Sequence, residues 1–342
     1  MRPMRAAALI VAASGCSLLR CGRAVAPPSN VPVVALPGGS GGIGFDDLVF
    51  ARGIRRVLVP AGGTGKLDLI DPDTRSITPI AGFSTGSGGG HDVGTTSADE
   101  GKGVLYASDR TARRLLVVDP VAKSIAASAD LAATPDYVRY VPAKGEVWIT
   151  EPAAEQIEVF STPPGGAPAR VATVHVAGGP ESLVIDSTRK LAYTHLWNGA
   201  TVAIDLQTFT RTAQWPNRCS GSRGIALDEA RGFLFAGCDE GKATVLDVNH
   251  GGAVVSSLAS GTGVDIIAYN PALGHLYVPG AESATLSVMA VSASGQLSLL
   301  GTTVTATGAH CVAADDRNNA WVCDPDRGQL LLYLDTFSPA AR

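Results

Sequence analysis

Residues 181–205 read ESLVIDSTRKLAYTHLWNGATVAID. Within them Ser182-Leu183-Val184-Ile185 is a short apolar strand, Leu191-Ala192-Tyr193 is a second strand after a polar turn, and Thr201-Val202-Ala203-Ile204-Asp205 alternates and stops at an aspartate. Alternation with a polar terminator is the pattern of a half-buried strand that runs into a turn. The same order recurs along the chain. Segments beginning at Asp46, His91, Asp136, Glu181, Arg223, Asp265 and His310 are spaced by 45, 45, 45, 42, 42 and 45 residues. The second strand returns as Val57-Leu58-Val59, Val104-Leu105-Tyr106, Val147-Trp148-Ile149, Phe233-Leu234-Phe235, Leu276-Tyr277-Val278 and Ala320-Trp321-Val322. The aspartate-closed third strand returns at 66–71, 115–119, 244–247 and 330–335, and a less regular fourth strand, as at 76–80 and 171–176, leads to the next unit.

Four strands per unit at a period of 42–45 residues, with no helical period of comparable strength, predict an all-β fold. The expected architecture is a seven-bladed β-propeller of four-stranded antiparallel blades. A β-helix, the other repeat architecture to weigh, has shorter coils. The seventh unit stops after its third strand at Asp335, while the strand from Asn30 to Leu36 has no unit of its own. Adding this N-terminal strand to the last blade closes the ring and removes an exposed edge, which makes 31–337 one domain and 338–342 a C-terminal tail.

Of the 342 residues, 17% are charged and 45% hydrophobic, with 40 Gly and 21 Pro. Such a turn-rich chain has ample material for a core, which excludes disorder. The formal net charge is -4 and no Lys/Arg block occurs. The cationic surface that a phosphate backbone requires is missing, so nucleic acid is excluded as a partner.

Arg2 and Arg5 precede an apolar run from Ala6 to Ala13, the layout of an export signal and too short to span a bilayer. The run ends in Ala13-Ser14-Gly15-Cys16, which resembles the bacterial lipobox. On that reading 1–16 is a lipoprotein signal peptide, Cys16 carries the lipid anchor and 17–30 is a tether. The alternative is cleavage near Ala24-Val25-Ala26, which gives a soluble secreted protein. The expected location is the bacterial periplasm or outer membrane, with membrane contact through the lipid alone and a monomeric propeller.

Leu276-Tyr277-Val278 with the strand at 285–288, and the stretch from Val57 to Asp71, resemble the YVTN-type repeat of YncE-like bacterial propeller proteins. The similarity covers the whole mature chain. It implies an exported seven-bladed propeller, and it speaks for fold more than for activity.

Beyond Cys16 and the unassigned Cys21, the cysteines fall as Cys219/Cys238 and Cys311/Cys323. In a blade the first strand begins and the antiparallel second strand ends on the same face of the disc. Each pair occupies those two points of one repeat, so two disulfides are expected in an oxidising compartment. No C-x-x-C occurs, which excludes zinc-ribbon and thioredoxin-type sites.

Propeller sites gather at the mouth of the central channel, where the connections between blades converge. The register places Asp46, His91, Asp136, Glu181, Arg223, Asp265 and His310 there, all ionisable. His310, Asp46 and His91 come from consecutive blades once the ring closes, and two imidazoles beside a carboxylate supply ligands for a divalent metal, the single cofactor the sequence suggests. The competing reading is a ring of polar side chains bonded to channel water and to neighbouring blades. A second layer on the same face, from the loops after the second strands, includes Asp109, Arg110, Glu151, Asp239 and Asp324. His195 and Trp197 belong to this layer, in a loop suited to a small polar or sugar-like ligand; the alternative is that Trp197 caps a blade junction. His175, His250 and His275 are expected to face solvent. Gly39 to Gly44 matches G-x-G-x-x-G, but no helix pattern follows it, so it has no nucleotide-binding mechanics.

Three functions remain open from sequence alone. The first is a binding or scaffold propeller that presents the channel mouth to a small ligand or protein partner. The second is a metal-dependent hydrolase of lactonase or esterase type. The third is a redox partner resembling the propeller subunit of quinoprotein amine dehydrogenases.

Overall fold

Each of the seven repeats folds into a four-stranded antiparallel sheet in the computed structural model, which describes residues 24–86 and 90–341. The expected signal peptide, the anchor at Cys16 and the unassigned Cys21 lie outside the described residues. In the fourth repeat Val184–Asp186, Leu191–Leu196, Ala200–Asp205 and Arg211–Pro216 pair in chain order, with Tyr193 opposite Ala203. We letter these positions a to d from the axis outwards. Every full repeat follows the same plan, so the molecule is a seven-bladed β-propeller. Among the described residues no helix is long and apolar enough to cross a membrane.

Burial explains which strands the sequence displayed clearly. The b strands Glu146–Glu151, Phe233–Cys238, His275–Gly280 and Asn319–Asp324 are buried along their whole length. They lie in the middle of each sheet, so both of their faces pack against neighbouring blades, and their apolar runs are nearly continuous. Trp148, Tyr193, Phe235, Tyr277 and Trp321, all on b strands, are among the largest fully buried side chains. Burying an apolar side chain of Leu or Phe size contributes roughly 1.5 to 3 kcal/mol. The d strands Ala169–His175 and Arg211–Pro216 are largely exposed, and little there constrains the sequence.

The aspartate that ends strand c has a local cause. Asp71 Oδ1 accepts the N–H groups of Asp73 and Thr74, Asp119 Oδ1 those of Val121 and Ala122, and Asp205 Oδ1 those of Gln207 and Thr208. The carboxylate thereby mimics a backbone turn and reverses the chain into strand d. Strands c and d then carry a register shift at a matching place in five blades, at Val117/Val118, Val159/Phe160, Ala203/Ile204, Val245/Leu246 and Val288/Met289. Such bulges raise the local twist, as a fanned blade requires.

The ring closes as expected. Val33–Ala35 pairs antiparallel with Gln329–Leu334, placing Val34 opposite Leu330. Cys219 is joined to Cys238 and Cys311 to Cys323, with Cα separations of 5.1 and 5.6 Å. A polar group links the first three blades beside a cavity of about 230 Å³ lined by the inner strands. Arg139 forks onto Asp47 at 2.5 and 2.9 Å, Ser97 Oγ donates to Asp47 Oδ2 at 2.6 Å, and the Val138 N–H donates to Ser97 Oγ at 2.9 Å. This buried, hydrogen-bonded group ties the first three blades together.

His275 corrects one expectation. Its side chain is fully buried instead of facing solvent, with Nδ1 2.7 Å from Asp335 Oδ2 and Nε2 3.2 Å from the Ser338 carbonyl. The cause lies beyond the last strand. The chain after Asp335 crosses onto the sixth blade, where the Ala340 N–H donates to the Leu273 carbonyl at 2.7 Å.

Candidate functional site

Six of the seven expected ring residues occupy equivalent places in their blades. Asp136 stands two residues before Val138, which pairs with Ile149, and Asp46, Glu181, Arg223, Asp265 and His310 have the same relation to their own a and b strands. The regular strand includes this position only in the fifth blade, where Arg223 lies inside Ser222–Asp228, although the Asp136 and Glu181 N–H groups still donate to the Thr150 and His195 carbonyls at 2.8 and 3.0 Å. In the other blades these residues form an extended lead-in to strand a, not its first position.

His91 is off this register. In the second blade Ala98 pairs with Ala107, so the residue equivalent to Asp136 is Thr96, whose Oγ1 lies 3.1 Å from Ser108 Oγ. Thr96 follows Asp46 by 50 residues and precedes Asp136 by 40. A long connection into the second blade and a short course to the third compensate, which hid the offset from an even count. His91 nevertheless reaches the mouth from that connection, its ring centroid 4.9 Å from that of His310.

Arginines answer three of the four carboxylates of the ring. Arg110 Nη1 lies 3.1 Å from Asp136 Oδ1 and 3.7 Å from Asp46 Oδ2, and His91 Nδ1 is 3.9 Å from the same Asp46 oxygen. Arg223 Nη1 lies 2.6 Å from Glu181 Oε1, and Trp197 Nε1 donates to Glu181 Oε2. Burial, with the nearby charges of Asp136 and Asp265, holds the Asp46 pKa well above the usual carboxylate range. Burial also raises Asp136 to about 7, opposed by Arg110, and it raises Glu181 against its bonds to Arg223 and Trp197. The His91 imidazole is pushed down by burial and by His310.

His91 and His310 come together as expected, but the carboxylate that meets both is Asp265. One ligand atom from each of His91, Asp265 and His310 lies within 4.8 Å of the others. The sixth and seventh blades are held in register here by the Ile266 N–H, which donates to the His310 carbonyl at 3.0 Å. His310 Nδ1 sits 2.6 Å from the Gly308 carbonyl and Nε2 2.9 Å from that of Phe45. Cys311 and Cys323 also approach His310, but they are bonded to each other and offer no thiolate.

The second layer divides. Trp197 remains 41% exposed and lines a cleft of about 540 Å³ beside the ring, together with Arg110, Arg113, Asp136, Glu181 and Arg223. His195 is a correction. It lies inside strand Leu191–Leu196, fully buried, with Nδ1 2.9 Å from Thr201 Oγ1, and burial pushes its pKa down to about 4. It orders the fourth blade and does not face the cleft. Asp109, Glu151 and Asp324 are also buried, and each accepts hydrogen bonds from its own loop or the next strand. Arg113, which sequence reasoning passed over, reaches the cleft because it adopts a left-handed turn at φ 51° after strand b. A larger cavity of about 670 Å³ lies apart from the ring, over the stacked rings of Tyr106 and Tyr140.

No family model and no curated protein matches this sequence. Solved structures do. A chain of a mitotic checkpoint complex aligns with a TM-score of 0.75 at 13% identity, over 97% of this chain and 99% of that one. A chain of Kuenenia stuttgartiensis hydrazine synthase aligns with a TM-score of 0.72 at 12% identity, over 88% and 97% of the two chains. The β-propeller domain of a Myceliophteria thermophila protein gives 0.71 at 12% identity, over 88% and 99%. At these identities the likeness concerns the fold alone.

Proposed function

We propose that this chain is a binding propeller that takes a small polyhydroxylated ligand of the sugar type in the cleft beside the channel mouth. The observation that carries the reading is Trp197, a large apolar ring left 41% exposed with its edge tied by Nε1 to Glu181. A fixed and exposed aromatic face suits a sugar ring, which presents C–H groups on one side and hydroxyls around its rim. The cleft answers the hydroxyls. Arg110, Arg113 and Arg223 bring donors, while Asp92, Asp136 and Glu181 bring acceptors. Two of these cations are already paired with carboxylates across the cleft. Their charges largely cancel, which favours a neutral ligand able both to donate and to accept. Arg113 has no ion-pair partner among the described residues and is available to the ligand.

The test is a panel of mono- and disaccharides read by tryptophan fluorescence and calorimetry. At least one sugar binds the wild type, and Trp197→Ala weakens it by at least about ten-fold, while the circular dichroism spectrum is unchanged. A panel without a binder, or a binder indifferent to Trp197→Ala and Arg113→Ala, refutes the reading.

The hydrolase reading draws on one observation, the approach of His91, Asp265 and His310. It supplies a candidate metal position but no substrate.

A further inference from the structure

From the geometry of the channel mouth we infer a divalent metal site formed by His91, Asp265 and His310, with the Phe45 carbonyl as a fourth ligand. It rests on the preceding reading only in taking this face as the functional one, because ion uptake and sugar binding are read separately.

Two independent features point to an ion here. The first is the ligand set itself. His91, Asp265 and His310 each bring one ligand atom within 4.8 Å of the other two. An ion with ligands at about 2.1 Å spans about 3.0 Å between ligands at right angles and about 4.2 Å between opposite ones. A small rotation of His91, whose side chain is 44% exposed, closes the difference.

The second feature is the environment of His310. Its Nδ1 faces the Gly308 carbonyl at 2.6 Å and its Nε2 faces the Phe45 carbonyl at 2.9 Å. A neutral imidazole has one N–H to offer two acceptors. With the proton on Nδ1 and donated to Gly308, the ring is oriented as metal-bound histidines are, by a carbonyl behind the ligand. Nε2 then points its lone pair at the lone pairs of a carbonyl oxygen, a repulsive contact that is relieved either by a second proton, which lets the ring donate to both carbonyls, or by a metal ion held between them. The 2.9 Å separation fits two neighbouring ligands on one ion as well as it fits an N–H···O hydrogen bond, and metal uptake tells the two apart. The carbonyl is also well fixed, since the Phe45 side chain is fully buried and its N–H donates to Ile43.

Asp46, 3.9 Å from His91 Nδ1, faces Arg110 at 3.7 Å and stays outside the ligand set. Gly44 lets the segments carrying Phe45 and His91 approach, because a Cβ there would collide with the carbonyl of Gly90, next to His91. Imidazole nitrogens with a carboxylate and a carbonyl select a borderline ion of the Mn²⁺ to Zn²⁺ series over Ca²⁺ or Mg²⁺.

The experiment uses Co²⁺ alone as probe, because its visible absorption reports nitrogen ligation. Chelator-treated full-length protein takes up one Co²⁺ per chain, and Zn²⁺ displaces it. His91→Ala, His310→Gln and Asp265→Asn each weaken uptake by at least about ten-fold. Asp46→Asn and Trp197→Ala leave it within about three-fold, and thermal unfolding of each variant confirms folding. The assignment fails if the wild type takes up no Co²⁺, if the His91→Ala/His310→Gln double variant binds as tightly as wild type, or if Asp46→Asn costs more than Asp265→Asn. Loss of sugar binding in Trp197→Ala with Co²⁺ uptake intact separates the two sites.

Discussion

At the scale of single residues, the fold tolerates a few buried polar groups with no partner, and Asp68 is the one with the clearest consequence. It lies in the strand Thr64–Ile70, fully buried, and neither carboxylate oxygen has a hydrogen-bond partner among the described residues. Burial raises its pKa from 3.8 to about 6, an effect only partly offset by Lys66. The folded state therefore holds this proton more tightly than the unfolded chain does. The contribution to stability is fully present below pH 3.8 and is lost as pH rises through about 6. Asp68→Asn, which keeps the shape without the charge, is expected to raise the unfolding free energy by about 2 to 3 kcal/mol near pH 8 and to change little near pH 3. Urea titrations at both pH values measure this, and a variant no more stable than wild type near pH 8 refutes it. Nothing in the sequence marks Asp68 as unpaired, because an alternating strand reads the same whether or not its polar residues find partners.

Elements divide by how much of their surroundings lie within their own repeat. Strands b and c were legible because both pack inside the blade stack and c ends in a self-contained aspartate turn. Strand d was blurred because exposure removes the constraint on its residues. The disulfides were legible for the same local reason, since each joins the lead-in of strand a to strand b of one blade over 19 or 12 residues. Cross-links closing loops of that length stabilise by about 2 to 4 kcal/mol. The Cys219→Ser/Cys238→Ser variant is expected to lose that amount in guanidinium unfolding. Equal midpoints for variant and wild type, or two free thiols found in the wild type by mass spectrometry, would rule the cross-link out.

For the molecule as a whole, one short contact decides whether seven sheets form a ring. Val33–Ala35 covers the edge of Gln329–Leu334, and Val34 is buried there. Val34→Asp places a carboxylate in that seam and frees a strand edge that can pair with another chain. The expected result is a lower unfolding temperature together with self-association in size-exclusion chromatography. A monomer as stable as wild type would mean that closure does not depend on this strand. The sequence by itself determined the number of blades, the antiparallel order within them, the closing strand and most of the ionisable ring. All of these follow from period and alternation, which are properties of the chain read in one dimension. Only the tertiary structure decided that Asp265 and not Asp46 joins the two histidines, that His91 arrives from a connection in place of Thr96, and that His195 and His275 are buried. Those outcomes depend on the lengths of irregular connections and on how neighbouring blades face one another across the axis, and no periodicity in the chain records either.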